Sequence, residues 1–152
     1  MDGLAVIKTI GHGLAASAVS AAVAKGTELG CPVAVAVIGA GGELVAFLRA
    51  SGAPFPSTQI AQDKAYTVAS FRMPGPELYR MVSGNPVLCS GIAAQPGIAM
   101  FGGGLPIEIG GECVGAIGVS GATEEQDIAC ANAGVAAIRA TQQLAAESGQ
   151  LA

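Results

Sequence analysis

The sequence predicts an α+β fold: a mainly antiparallel sheet with helices packed on it. Three observations carry this. Ala-rich segments with helical stop and start signals open and close the chain. Two pairs of short strand-like segments are joined by glycine turns as hairpins. Hairpins outnumber parallel crossovers, which places helices against an antiparallel sheet in the order α-ββ-αα-βββ-α.

Residues from about Leu4 to Leu29 form the first expected helix, stopped by Gly30 and Pro32. On a helical wheel Val6, Ile7, Ile10, Leu14 and Leu29 share one sector, while His12, Val19 and Val23 share another roughly opposite. Two apolar stripes imply a helix held between two surfaces, its own sheet and a neighbouring subunit. The Leu14–Ala24 stretch has some likeness to a secretion leader, but it is mostly Ala, carries Ser17 and Ser20, and follows Asp2. It is taken as helix, and the expected location is cytoplasmic.

Val33–Ile38 is β-branched with alternating Ala, a strand pattern. Gly39-Ala40-Gly41-Gly42 turns the chain and Glu43–Arg49 returns as its hairpin partner. Gly52, Pro54 and Pro56 make the next stretch irregular. Ser57 or Thr58 then caps a helix to about Phe71, ended by Pro74, and Pro76 opens a short helix to Val82. Beyond the Ser83–Pro86 turn, Ile98–Phe101 is expected as a strand interrupted by Gly102-Gly103-Gly104. Ile107–Ile109 and Glu112–Val119 form a second hairpin, whose Gly110-Gly111 dipeptide favours a type I′ turn. Thr123-Glu124-Glu125-Gln126 is a capping box, and with Glu124, Glu125 and Asp127 against the dipole it starts a last helix to about Glu147. No repeat or linker divides residues 1–152, so one domain is expected.

Composition narrows the function. The 152 residues include 30 alanines and 23 glycines, so about a third of the positions carry almost no side chain. Apolar residues make up 51% and charged residues 12%. That balance argues against disorder, and no run approaches the ~18 apolar residues of a spanning helix. A chain with so few charges is expected to bury part of its surface in a homo-oligomer. Net charge is −4 without a basic cluster, which argues against nucleic acid. Cys31, Cys89, Cys113 and Cys130 are scattered and His12 is the sole histidine, so no zinc site and no disulfide framework is expected, and the cysteines are taken as buried small hydrophobes.

Standard catalytic motifs fail letter by letter. Gly39-Ala40-Gly41-Gly42-Glu43-Leu44 lacks the third glycine of a dinucleotide fingerprint, and Gly118-Val119-Ser120-Gly121-Ala122 departs from a nucleophile elbow at its last position. The helix 59–71 is more informative. Ile60, Lys64, Val68 and Phe71 fall on one continuous face, with Lys64 its only charge. Lys64 can snorkel to solvent, anchor a ligand carboxylate or phosphate in a pocket, or carry a depressed pKa for Schiff-base or proton chemistry. Asp63, with Gln59 and Tyr66, lies beside this face as a local partner. Gly102, Gly103 and Gly104 weaken a strand, so they imply a close backbone approach, an anion-binding concavity, or a bulge that bends the sheet. His12 is the only candidate imidazole ligand for a haem iron, and Tyr66, Tyr79 and Met100 are other conceivable axial or pocket residues.

Gln62-Asp63-Lys64-Ala65-Tyr66-Thr67, Phe101-Gly102-Gly103-Gly104-Leu105-Pro106 and Gly115-Ala116-Ile117-Gly118-Val119-Ser120-Gly121, followed by Glu125-Gln126-Asp127, together resemble the GlcG/HbpS family. The C-terminal domain of PduO-type cobalamin adenosyltransferases belongs to the same family. The resemblance runs from Ile7 to Ala137 with the motifs in family order. It implies a profilin-like or PAS-like five-stranded antiparallel sheet flanked by helices, assembled into dimers or larger oligomers. Some relatives bind haem, and at least one type is an extracellular haem-responsive partner of a sensor kinase. Lys64, Asp63 and Gly102–Gly104 fall on the family's motif positions, which places the expected pocket there.

Three functions follow. The first is an oligomeric binding module for haem or another carboxylate-bearing tetrapyrrole, its propionates on Lys64 and its ring on Ile60, Val68 and the glycine loop. The second is a small catabolic enzyme, an isomerase, tautomerase or lyase, in which Lys64 orients an acidic metabolite and Asp63, Tyr66 or Glu125 moves a proton. The third is a structural role in assembly.

Overall fold

A computed structural model describes residues 3–149. The elements are α1 (His12–Glu28), β1 (Ala34–Gly39), β2 (Leu44–Arg49), α2 (Ser57–Phe71), α3 (Gly75–Val82), α4 (Pro86–Ala93), β3 (Gly104–Ile109), β4 (Glu112–Ser120) and α5 (Glu124–Glu147). The fold is α+β, and the sheet has four strands in the order β2-β1-β4-β3, each neighbour antiparallel.

Strand alternation separates two cores. Val35 and Val37 of β1 with Ile117 and Val119 of β4 face one way, onto α1 (Ala15, Ala18, Ala22) and α5 (Ala131, Val135, Ile138). Ala34, Ala36 and Ile38 of β1 with Ala116 of β4 face the other way, onto Ala61, Ala65, Val68 and Ala69 of α2. The second face is built from small residues, so α2 lies very near the sheet. A Cβ on Gly118 would fall 2.6 Å from the Ala65 nitrogen.

The five-stranded expectation is corrected to four, because Ile98–Phe101 is a loop. Its amides bond to a local turn and to a side chain instead of a neighbouring strand: the Ile98 amide donates to the Gln95 carbonyl at 3.3 Å. The Ala99 amide donates to Thr67 Oγ1 at 2.9 Å, and that hydroxyl lies 3.0 Å from the Gly97 carbonyl and 2.7 Å from its own helix carbonyl at Asp63. Helix α4 is absent from the elements expected of the sequence, although Asn85 caps it by accepting from the Leu88 amide at 3.1 Å and Pro86 sits in its first turn.

The first helix begins at His12 rather than Leu4. Gly11 and Gly13 weaken helix propagation at that point. The preceding segment is tied outward instead: the Ile10 amide donates to Val114 O at 2.9 Å, and Thr9 Oγ1 donates to Glu43 Oε1 at 2.7 Å. Val6 and Ile7 therefore form no helical stripe and are 75% and 61% exposed, while α1 buries Ala15, Ala18, Val19, Ala22 and Gly26. Of the four free cysteines only Cys130 is buried; Cys31, Cys89 and Cys113 are half-buried.

Local signals elsewhere agree with the structure. Gly110 and Gly111 have φ of 58° and 80°, as a type I′ turn requires. Both halves of the Thr123–Gln126 capping box are present, and α5 ends at Glu147.

Candidate functional site

Lys64 sits mid-way along α2 on the side turned to the sheet, where its side chain is only 2% exposed. Its Nζ donates to the Val119 carbonyl at 2.8 Å, near the end of β4, and to Asp127 Oδ2 at 2.9 Å, in the first turn of α5. The Phe101 ring centroid lies 4.9 Å from the same nitrogen. An ammonium has three donors. A carbonyl, a carboxylate and an aromatic face surround this one, so it neither reaches solvent nor points into an open pocket. Asp127 is equally withdrawn, and its second oxygen accepts from the Ala122 amide at 3.1 Å. Burial holds the Asp127 carboxyl above its ordinary range, against the lowering effect of the Lys64 bond.

The triple glycine wraps this pair. Gly103 has φ of 122°, and a Cβ there would lie 2.6 Å from Val119 O and 2.7 Å from Lys64 Nζ. Its carbonyl accepts from the Val119 amide at 2.9 Å. Gly104 lies equally close to the α2 backbone, where a Cβ would sit 2.9 Å from Lys64 O. The glycines admit the loop to a space that any side chain would fill.

The structure thus brings together Lys64, Val68, Gly102, Gly103 and Gly104, with Phe101 beside them. The other expected site residues stand apart. Ile60 is half-buried farther toward the start of α2. Asp63 accepts from Gln59 Nε2 at 2.8 Å and, with Tyr66, lines a separate surface cleft of about 370 Å³. Glu125 is exposed in the first turn of α5, and His12 is exposed at the start of α1, in the layer across the sheet from α2. The carboxylate that faces Lys64 is the protein's own, so the geometry lends no support to Lys64 as a substrate anchor.

In the sequence Asp127 stands out as a helix-dipole residue and as part of the Glu125-Gln126-Asp127 motif, and neither signal assigns it a site role. A sharper signal was present: Asp127, Cys130, Ala131, Gly134 and Ile138 follow one helical stripe, with a lone acid at the head of an otherwise apolar face.

Beside Phe101 lies a hollow of about 470 Å³, lined by Tyr79, Ala93, Ile98, Ala99, Met100 and Phe101. No formally charged group lines it, and among its lining side chains only the Tyr79 phenol is polar, with the Met100 thioether as a weak acceptor. Its size and chemistry are those of a small-molecule site. The loop that walls it is held on one side by Thr67 and on the other by the Lys64–Phe101 contact. Among the described residues no group of three or more His, Cys, Asp or Glu is placed to hold a metal ion. No described helix is long and apolar enough to cross a membrane.

Comparison with known proteins gives the family. A family model described as "Haem degrading protein HbpS-like" matches residues 10–136. The chain belongs to the HbpS-like family. An uncharacterised 15.0 kDa protein from the dhaT-dhaS intergenic region of Citrobacter freundii is 36% identical over 122 residues, covering 80% of this chain and 86% of the relative. The crystal structure of a double mutant of Streptomyces reticuli HbpS superposes with a TM-score of 0.81 at 32% identity, covering 90% of this chain and 91% of that one. The crystal structure of a PduOC:heme complex gives a TM-score of 0.77 at 28% identity, covering 85% and 94%. The matched stretch of this HbpS-like chain holds Lys64, the triple glycine, Asp127 and the Tyr79–Phe101 hollow.

Proposed function

We propose that the protein binds haem or a related tetrapyrrole in the hollow between α3, α4 and the Ile98–Phe101 loop. The observation that carries the reading is an apolar hollow of about 470 Å³ with Tyr79 and Met100, side chains of types able to ligate iron, on its wall. Membership in an HbpS-like family and likeness to a PduOC:heme complex support it.

The residues fit such a group. Phe101 and Ile98 offer apolar surface to a macrocycle. Met100 and Tyr79 belong to the side-chain types that serve as axial ligands. Bound haem would supply a redox-active iron. Lys64, Val68 and Gly102–Gly104 take the role of frame, fixing Phe101 through the ammonium–ring contact. His12 and Ile60 take no part in this reading.

The same reading includes a homo-oligomer. Helix α4 is apolar yet buries none of its own residues, and Val87 is 84% exposed. A second copy of the chain would cover that surface. Four free cysteines support a reducing compartment such as the cytoplasm.

Haemin titration tests the proposal. Wild type develops a saturable Soret band with a fixed stoichiometry per protomer or per dimer. Met100→Ala and Tyr79→Phe shift that band, and His12→Ala leaves it unchanged. A featureless, unsaturable spectrum overturns haem binding. A shift only in His12→Ala moves the ligand to the other layer and overturns the hollow.

A further inference from the structure

A second concave region lies at the far end of α2, independent of the apolar hollow. A cleft of about 260 Å³ opens between the β1–β2 turn, Ala40–Gly42, and the last turns of α2, where Tyr66, Ser70 and Arg72 line it. A cleft of about 460 Å³ continues from it, sharing Ala40 and Arg72, and reaches Lys8 and the β3–β4 turn with Glu108 and Glu112. Arg72 is the only charged side chain common to both.

Three features set Arg72 apart. Among the described residues the ion pairs are Lys8–Glu112, Lys25–Glu28 and Lys64–Asp127, so its guanidinium has no carboxylate partner. Its backbone is left-handed, φ 59°, the only such non-glycine residue among those described. It follows α2 at the position where glycine is the ordinary occupant, and an L side chain there is sterically disfavoured. Glycine would fit that backbone without strain. The chain carries an arginine there instead, and it projects a five-donor cation at the junction of two clefts.

The surroundings define what it would hold. Tyr66 and Ser70 are one helical turn apart on the same face of α2, and both are exposed to the smaller cleft. That cleft carries no acidic side chain. In the larger one Lys8 neutralises Glu112 at 2.8 Å, which leaves Glu108 as the acid without an ion-pair partner.

We propose that the joined clefts bind a small metabolite by its carboxylate or phosphate group, with Arg72 as anchor and the Tyr66 and Ser70 hydroxyls as further donors. The larger cleft takes a hydroxyl- or amine-bearing remainder of the molecule, facing Glu108. A planar guanidinium suits both head groups through paired N–H donors.

The test uses the whole chain, with thermal melting and calorimetry against inorganic phosphate and succinate at constant ionic strength held with chloride. Wild type shows a saturable rise in Tm with at least one of the two, and the preferred anion identifies the head group. Arg72→Gly melts at or above wild type without ligand, because glycine suits the backbone, yet loses at least tenfold in anion affinity. Tyr66→Phe and Ser70→Ala each weaken binding several-fold. The haemin titration of Arg72→Gly matches wild type.

Lack of a saturable response to either anion overturns the proposal, as does a response that survives Arg72→Gly. An Arg72→Gly protein melting below wild type assigns the arginine to the exposed carbonyls at the end of α2 and overturns it too. Joint loss of haemin and anion binding would make the clefts part of the haem site and overturn a separate one.

Discussion

The Lys64 ammonium and the Asp127 carboxylate meet at 2.9 Å, from residues 63 positions apart in the chain. Lys64 belongs to the helix on one face of the sheet and Asp127 to a helix on the other. The pair therefore ties two layers together where β4 ends, and the Val119 carbonyl and Gly103 close around it.

Breaking one half of this pair leaves the other buried and uncompensated. Lys64→Met and Asp127→Ala are each expected to cost about 3–5 kcal/mol in urea unfolding. The double change Lys64→Met with Asp127→Leu is expected to recover most of that loss, since a buried ion pair replaced by apolar side chains is often near neutral. Equal losses in both single variants and the double variant would contradict a coupled pair.

The two perturbed carboxyls are expected to act oppositely on acid stability. Asp127 titrates above its ordinary 3.8 because burial outweighs the bond from Lys64. Its folded form holds the proton longer than the unfolded chain does. Its contribution to stability is therefore full below 3.8 and declines as pH rises through the folded midpoint. Glu43 titrates below 4.5, chiefly because Thr9 donates to it, so its contribution is present above 4.5 and lost as pH falls through the folded value. Carboxyl-carbon NMR titration is expected to show both displacements, and Thr9→Val to move Glu43 back upward. An Asp127 midpoint below 3.8 would reverse the sign assigned here.

Gly103→Ala is expected to destabilise the protein by about 1–3 kcal/mol, since the new methyl meets Val119 O and Lys64 Nζ at overlapping distances and φ 122° is strained for any L residue. It is also expected to weaken haemin binding, because the same loop carries Phe101. A variant as stable as wild type would mean that the glycine loop is not confined by the ion pair.

Thiol chemistry is expected to separate one cysteine from three. Cys130 is buried and its thiol is pushed up to about 11, mainly by desolvation, so little thiolate is available near neutrality. Iodoacetamide on the native protein is expected to modify the half-buried Cys31, Cys89 and Cys113 well before Cys130, and all four after unfolding. Early labelling of Cys130, followed by peptide mapping, would show that α5 does not stay packed.

What the sequence settled by itself is local. The Thr123–Gln126 box starts α5, the Gly110-Gly111 pair turns β3 into β4, Pro76 opens α3, and the β-branched, alternating Val33–Ile38 stretch makes a strand. In each case the causal residues lie within a few positions of their effect. Tertiary structure decided the rest, where the partner is distant. Residues before Gly11 leave the helix because Ile10 finds Val114 across the fold. Ile98–Phe101 becomes a loop because the Thr67 hydroxyl takes the Ala99 amide that a neighbouring strand would have taken. Periodicity marked Lys64 as the odd charge on an apolar face, but whether it met solvent, ligand or protein depended on a carboxylate on another helix. A buried charge must be matched in three dimensions, and helical periodicity reports only the face a residue occupies.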